Sequence, residues 1–389
     1  MDRFVKLLCV ILSLALTAAI MPINASAVTQ KVKISGISIP VTAKQICLVR
    51  GKKDDIISQS LAKTYAPEFK KYYYIGYDTT VNFKDIAEKL PELQKLVVVT
   101  CEIKNPKYVS EMKNLVQLGL YGCTGTSDLS FIKKATGLKK FWYANSKCTD
   151  ISAVANLKNL NELSIMPAKN MNDISAVENL TKLVKLDLAG NFADISAIGK
   201  LKKLKELDIE CGAVTDLTPL GELQKLEKLS LAGMRDASGK VLKQLNVTEL
   251  RLEHVGWRII GYAKYMPTVE KLELYNNGHL GYVYLETPGD MPWLKSLTID
   301  DARLSKCDFV ANITDLESLT LSNNKIQDFS PLKDLKKLKK LDVSGNYKGD
   351  YTALLKLKGL EELNLSKSSA DESFVKKFKK ANPDCVVYK

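Results

Sequence analysis

Apolar residues in this chain recur in a fixed figure, L-x-x-L-x-L with substitutions, from about residue 90 to the C-terminus. Its first position falls at Leu93, Leu115, Leu138, Leu160, Leu183, Leu204, Leu226, Val247, Val269, Leu294, Leu316, Leu338 and Leu360. Successive units stand 21 to 25 residues apart, most of them 22. So many units in near-constant register predict a stacked repeat array, one elongated domain and not two or three compact ones. The last two apolar residues of each figure alternate with polar ones at period two. They therefore point one way into a core while their neighbours point out. The predicted element is one short strand per unit, all strands parallel.

A second figure follows each strand: DISAV (150–154), DISAV (173–177), DISAI (194–198), DLTPL (216–220) and DFSPL (328–332). The aspartate is placed to cap a short turn through backbone amides, and the next apolar residue to plug the core. These acids read as structural, not catalytic. Between Leu231 and Leu297 the figure disappears, replaced by ASGKVLKQL (237–245), GWRIIGYAKYMP (256–267) and GHLGYVYLETPGDMPWL (278–294). A wider helical return that packs Trp257, Tyr262 and Trp293 as core is the favoured reading. A second contact surface on the outer side is the other.

Segments such as LTKLVKLDLAGNFADISAI (180–198), LKKLKELDIECGAVTDLTPL (201–220) and ITDLESLTLSNNKIQDFSPL (313–332) resemble leucine-rich repeats of the internalin-like, 22-residue class of secreted bacterial proteins. The resemblance covers roughly residues 70 to 389. It implies an α/β leucine-rich-repeat solenoid, a curved horseshoe with a parallel concave β-sheet and short 3₁₀ or irregular convex segments, with some helical returns in the middle. It also implies that Asn191, Asn277, Asn324 and Asn346, three residues after each strand, hydrogen-bond the turning backbone. Cys101, Cys123 and Ser146 share that position. The two thiols read as small buried groups, with a disulfide between adjacent rungs as the alternative. Cys148 falls where Val214 falls and reads as core.

Terminal repeats need caps. DESFVKKFKKANPDCVVYK reads as a helix, a turn and a last strand, with Val387 placed 22 residues after Leu365. Tyr73 and Ile75 precede Leu96 and Val98 by 23, which predicts an extra strand before the first full repeat. Ile46 to Leu48 predicts another strand and Asp54 to Tyr65 a helix. At the N-terminus, Arg3 and Lys6, the apolar stretch Leu7 to Met21 and then Ala25-Ser26-Ala27 form a secretory signal pattern. The apolar run is shorter than a membrane-spanning helix requires. The expected organisation is a signal peptide at 1–27, an N-terminal cap at 28–69, repeats at 70–370 and a C-terminal cap at 371–389. The mature protein is expected to be extracellular, with no transmembrane segment.

Composition alters this picture in three ways. The formal charge is +13, which invites an anionic partner, yet only six of the 57 basic residues are arginine. Arginine is the preferred reader of phosphates and base edges. Two histidines, and none of the signatures G-x-S-x-G, P-loop or H-E-x-x-H, leave no material for a catalytic site, so a non-enzymatic protein without cofactor is expected. An odd seven cysteines after residue 27, none in a C-x-x-C pair, suit neither a disulfide framework nor a zinc site.

The informative surface is then the set of outward residues on the strands, which carries eleven acids against seven bases on a basic chain. Acids concentrate from Asp187 to Glu253, and Val97, Val99, Tyr121, Trp142 and Met166 gather towards the N-terminal end. Tryptophan and tyrosine on a rigid sheet anchor interfaces. The candidate ligand-binding residues are Tyr121, Trp142, Met166, Asp187, Glu206, Asp208, Glu210, Arg251, Glu253 and Tyr275, and the expected ligand is a protein. Alternatives are a cell-surface or wall-associated adhesive component that binds wall polymer or glycan, a calcium ion on residues 206, 208 and 210, and a merely solvated sheet. The acidic inner face argues against nucleic acid there.

Overall fold

The computed structural model describes residues 30–389 apart from 127, 145–146, 167–169 and 278–286. The signal pattern, Ser146 and most of the 278–294 return therefore lie outside the described residues. The strands are β1 (Lys31–Ile34), β2 (Ile37–Pro40), β3 (Gln45–Arg50), β4 (Tyr73–Ile75), β5 (Thr80–Asn82), β6 (Lys95–Val99), β7 (Glu102–Lys104), β8 (Gln117–Tyr121), β9 (Lys140–Ala144) and β10 (Glu162–Ile165). They continue with β11 (Lys185–Ala189), β12 (Glu206–Glu210), β13 (Lys228–Ala232), β14 (Glu249–Glu253), β15 (Lys271–Tyr275), β16 (Ser296–Asp300), β17 (Ser318–Thr320), β18 (Lys340–Asp342), β19 (Glu362–Asn364) and β20 (Val386–Tyr388). Among the described residues, sixteen of them form one parallel sheet that runs from β20 down to β8 in sequence order and then β6-β3-β4. The chain is a leucine-rich-repeat solenoid.

The register follows the apolar figure. Leu163 pairs with Leu186, Leu186 with Leu207, Leu207 with Leu229 and Leu229 with Leu250, a column of core leucines one rung apart. All are buried, each contributing about 1.5–3 kcal/mol through apolar burial. The returns are 3₁₀ turns such as Ser152–Asn156 and Thr218–Glu222. Each is opened by the expected aspartate. The amides of Ser152, Ser175, Ser196, Thr218 and Ser330 donate to Asp150, Asp173, Asp194, Asp216 and Asp328 at 2.7–2.8 Å.

Three of the four asparagines behave as the resemblance implies. Asn324, buried, accepts from the amides of Ala302 and Leu304 at 3.1 Å and donates to the carbonyl of Ile299 at 2.8 Å. Asn277 and Asn346 make the same inter-rung links. Asn191 is the exception. It is exposed, and its neighbour Phe192 fills the core. The repeat that carries it is one residue short, 21 from Leu183 to Leu204, and the Cys211 thiol donates to the Phe192 carbonyl at 2.9 Å. Cys101 and Cys123 are buried free thiols, as are the other five cysteines after residue 30.

The two ends depart from simple continuation. β3 enters the sheet between β4 and β6, pairing Leu48 with Tyr73 on one side and with Val98 on the other. Ile46, Cys47, Leu48 and Val49 are all buried, and a strand covered on both faces belongs inside a sheet. The three-residue β4 is left as the edge. At the other end Val387 pairs with Leu363 rather than Leu365. A two-residue shift keeps it on the core face, because strand side chains alternate with period two.

Among the described residues four α-helices complete the fold: α1 (Ile56–Tyr65), α2 (Phe83–Lys89), α3 (Trp257–Ala263) and α4 (Glu372–Ala381). α4 closes the core with Phe374 and Phe378, and Phe374 leans on Tyr351. α3 is the wider return. A side chain at Gly256 would meet the carbonyl of Arg235 at 1.9 Å, so the helix starts in direct contact with the preceding rung. Trp257 is a correction to the core reading. It is 47% exposed, with the Arg258 guanidinium 5.3 Å from its ring, and Ile259, Ile260 and Ala263 take the buried positions.

Candidate functional site

The strand register builds three rows of outward side chains on the concave sheet. The first row runs Lys140, Glu162, Lys185, Glu206, Lys228, Glu249, Lys271. Like charges never stand opposite one another in it, and opposite charges on facing strands attract. Lys140 meets Glu162 at 2.9 Å, Lys228 meets Glu249 at 3.1 Å and Glu206 at 3.9 Å, and Lys185 meets Glu206 at 3.7 Å. The row neutralises itself, so Glu206, a candidate for meeting a basic partner, is already shared between two lysines.

The second row reads Trp142, Ser164, Asp187, Asp208, Ser230, Arg251, Glu273. Asp187 and Asp208 are paired neighbours on β11 and β12, half-buried in the sheet floor. Burial, reinforced by Asp208, pushes the Asp187 carboxyl up to about 6, against the opposing pull of Lys185 and a hydrogen bond with Ser164. Burial also raises Asp208, opposed by Ser230 and Arg251. In the third row Glu210 is exposed. Glu253 is held by Arg251 at 2.8 Å and by the Asn276 amide at 2.9 Å, which keep its carboxyl below the usual range. The Arg251 guanidinium also lies 4.4 Å from the Tyr275 ring, so these three form one contact set. Met166, half-buried, directly follows β10, four strands away from this set. Among the described residues no group of three or more His, Cys, Asp or Glu side chains converges as a metal site would require.

The apolar end is reshaped by α1. This helix and the segment after it fold over the concave side of β3 and β6. Val97 and Val99 become fully buried against Ala62, Ala66 and Phe69. Tyr121 stacks on Tyr65 at 4.5 Å, and Gln117 donates to Glu68 at 2.8 Å. Trp142, one strand further along, stays half-exposed with the Lys140 ammonium 5.9 Å from its ring. It lines a groove of about 1040 Å³ with Tyr65, Glu68, Tyr121, Glu162 and Lys185. Tyr65 and Glu68 form a wall that the repeat pattern does not reveal, because they come from the irregular segment before the repeats. The clue available in sequence was the cluster of tyrosines around 65–77. The structure thus joins Tyr121 and Trp142 at one end, Asp187, Glu206 and Asp208 in the middle, and Arg251, Glu253 and Tyr275 beyond.

Comparison with known proteins agrees on the class. The family of leucine-rich repeats in two copies matches residues 314–354. A solved internalin of Listeria monocytogenes is 24% identical, with 80% of this chain and 90% of that one covered, at a TM-score of 0.55. A leucine-rich-repeat protein of Leptospira interrogans is 20% identical over 77% of this chain and 91% of its own, at a TM-score of 0.43. A plant peptide hormone receptor, RGFR1, solved in complex with RGF2, is 16% identical over 72% of this chain and 52% of its own, at 0.38. No curated protein matches the chain. The chain has a leucine-rich-repeat fold, similar to that of this internalin. Among its described residues no helix is long and apolar enough to cross a membrane.

Proposed function

We propose that this is an exported, non-enzymatic binding protein that recognises a protein partner on its concave face between β9 and β15. The observation that supports this reading is the placement of Trp142. It is a half-exposed tryptophan on a rigid sheet, at the mouth of a groove of about 1040 Å³ walled by the Tyr65–Tyr121 stack. Buried aromatic anchors on pre-organised surfaces supply most of the energy in protein interfaces. The partner's apolar group fills the groove at Trp142. Its cationic groups reach Asp187, Asp208 and Glu210, the acids that the lysine ladder of the first row does not fully neutralise. Export rests on residues 1–27.

The test is recovery of partners from culture supernatant and host extract with wild-type protein, Trp142→Ala and Trp257→Ala. A groove partner is retained by wild type and by the convex variant Trp257→Ala, and is lost with Trp142→Ala. Equal recovery by all three proteins removes the concave face from the reading.

A further inference from the structure

The edge of the sheet where the strands begin carries a separate charge pattern. On six successive rungs, β8 to β13, the turn leading into the strand presents one lysine with no carboxylate in ion-pair reach among the described residues: Lys113, Lys139, Lys158, Lys182, Lys203 and Lys225. All six are exposed. The backbone amides of Lys139, Asn161, Val184, Lys205 and Glu227 donate to the carbonyls of Val116, Lys139, Asn161, Val184 and Lys205 at 2.8–2.9 Å, which stacks these turns directly on one another. The Lys182 ammonium donates to Asn159 of the rung below at 2.7 Å, which joins two neighbouring turns. Five of the lysines stand one or two residues before the first leucine of their repeat, and Lys139 stands one after it. With strands ~4.8 Å apart, the file is about 24 Å long.

The only acid in these turns, Glu227, is taken by Lys205 at 2.6 Å, and Lys202 is taken by Glu222 of the neighbouring return. The file is therefore cationic after local pairing. It stops on both sides. The β6 turn carries Glu92, the β14 turn (246–248) carries no lysine, and the β15 turn beyond it carries Glu270, which Lys295 occupies at 2.7 Å. Between the lysines stand the small neutral residues Thr136, Gly137 and Thr181.

We propose that this edge binds a linear phosphodiester polymer of a polyol, laid along the solenoid axis with its phosphates on the six lysines. Lysine meets phosphate as a point charge and tolerates varied approach. The small hydroxyl-bearing gaps leave room for polyol hydroxyls and can hydrogen-bond them. Single-stranded nucleic acid fits less well. Its recognition relies on aromatic stacking platforms and arginine, and these turns contain neither. The site lies outside the concave groove and stands apart from the protein-binding reading.

The experiment is fluorescence-anisotropy titration of the full exported chain against end-labelled poly(glycerol phosphate), over a series of salt concentrations. Six phosphate contacts give a slope of log K against log salt of about −4. Changing the six lysines to Gln is expected to weaken binding at least tenfold at low salt and to flatten the slope. An equal charge change at Lys325, Lys333, Lys348, Lys356, Lys376 and Lys377, all exposed and outside the turns that lead into the strands, leaves binding within twofold, as does Trp142→Ala. Equal loss in both six-lysine variants shows attraction by net charge alone and overturns the proposal. Loss with Trp142→Ala places the polymer in the groove and also overturns it. Tighter binding of an oligodeoxynucleotide of equal charge assigns the edge to nucleic acid instead.

Discussion

Tyr65 of α1 stacks on Tyr121 of β8 with ring centroids 4.5 Å apart and planes at 21°. This pair joins the segment before the repeats to the concave face, and it forms one wall of the groove at Trp142. Removing either ring leaves the other exposed beside Val97 and Val99. Tyr65→Ala and Tyr121→Ala are each expected to lower unfolding free energy by about 1–3 kcal/mol. The double mutant should show a coupling of about 0.5–1.5 kcal/mol, characteristic of an aromatic pair. Urea melts of the four proteins measure it. Additive losses would mean that the stack carries no energy of its own.

Asp187 makes stability fall as pH rises. Its carboxyl titrates at about 6 in the fold against an ordinary value of 3.8, mainly through burial. The native state therefore binds the proton more tightly than the unfolded chain, and this site destabilises progressively between about pH 4 and 6. Asp187→Asn mimics the protonated form. It is expected to be more stable than wild type at pH 7 by on the order of 1 kcal/mol, after allowance for solvent screening. The gain should vanish below about pH 4. Thermal melts across that range decide it, and a gain that persists at pH 3 would locate its cause elsewhere.

Asn324 and Asn191 occupy the same repeat position with opposite consequences. Asn324→Ala leaves the amides of Ala302 and Leu304 and the carbonyl of Ile299 without their partner in the core. The expected cost is about 2–5 kcal/mol, since each buried orphan group costs about 1–3. Asn191→Ala, at an exposed site, should change stability by less than about 0.5 kcal/mol. Denaturant midpoints of the two variants provide the comparison.

Gly256 touches the Arg235 carbonyl at the start of α3. Gly256→Ala must push the helix from the preceding rung, with an expected loss of about 1–3 kcal/mol. Gly261, which has open space around its α-carbon, should accept alanine without loss. Melting temperatures of the pair test whether this wider return is held by that contact.

The seven cysteines from Cys47 to Cys385 are free and buried. Burial pushes the Cys47, Cys123 and Cys307 thiols up to about 12. A thiol is nucleophilic only as thiolate. Ellman's reagent should find almost no reactive thiol in the native chain at pH 8 and all seven in denaturant. Fast native reaction would show that the rungs open locally.

Much of this protein is determined by its sequence alone, and the reason is local. Period-two alternation within a strand and a 22-residue interval between strands specify which side chains face the core, so the column Leu163, Leu186, Leu207, Leu229 and the three outward rows follow from the letters. The aspartate turns follow for the same reason, because Asp150 and Ser152 meet within two residues of each other. Contacts that skip rungs or come from outside the repeat were decided only by the tertiary structure. α1 could cover Val97 and Tyr121 because those residues face outward with no repeat partner above them, and nothing in the register states that a helix lies there. β3 took the place beside β6 because its residues are apolar on both faces, a property that shows where a strand belongs only once its neighbours are known. The balance of charge divides in the same way. The acidic count of the inner face is legible in sequence, whereas its neutralisation by the Lys140–Glu162–Lys185–Glu206 ladder depends on distances that strand pairing sets.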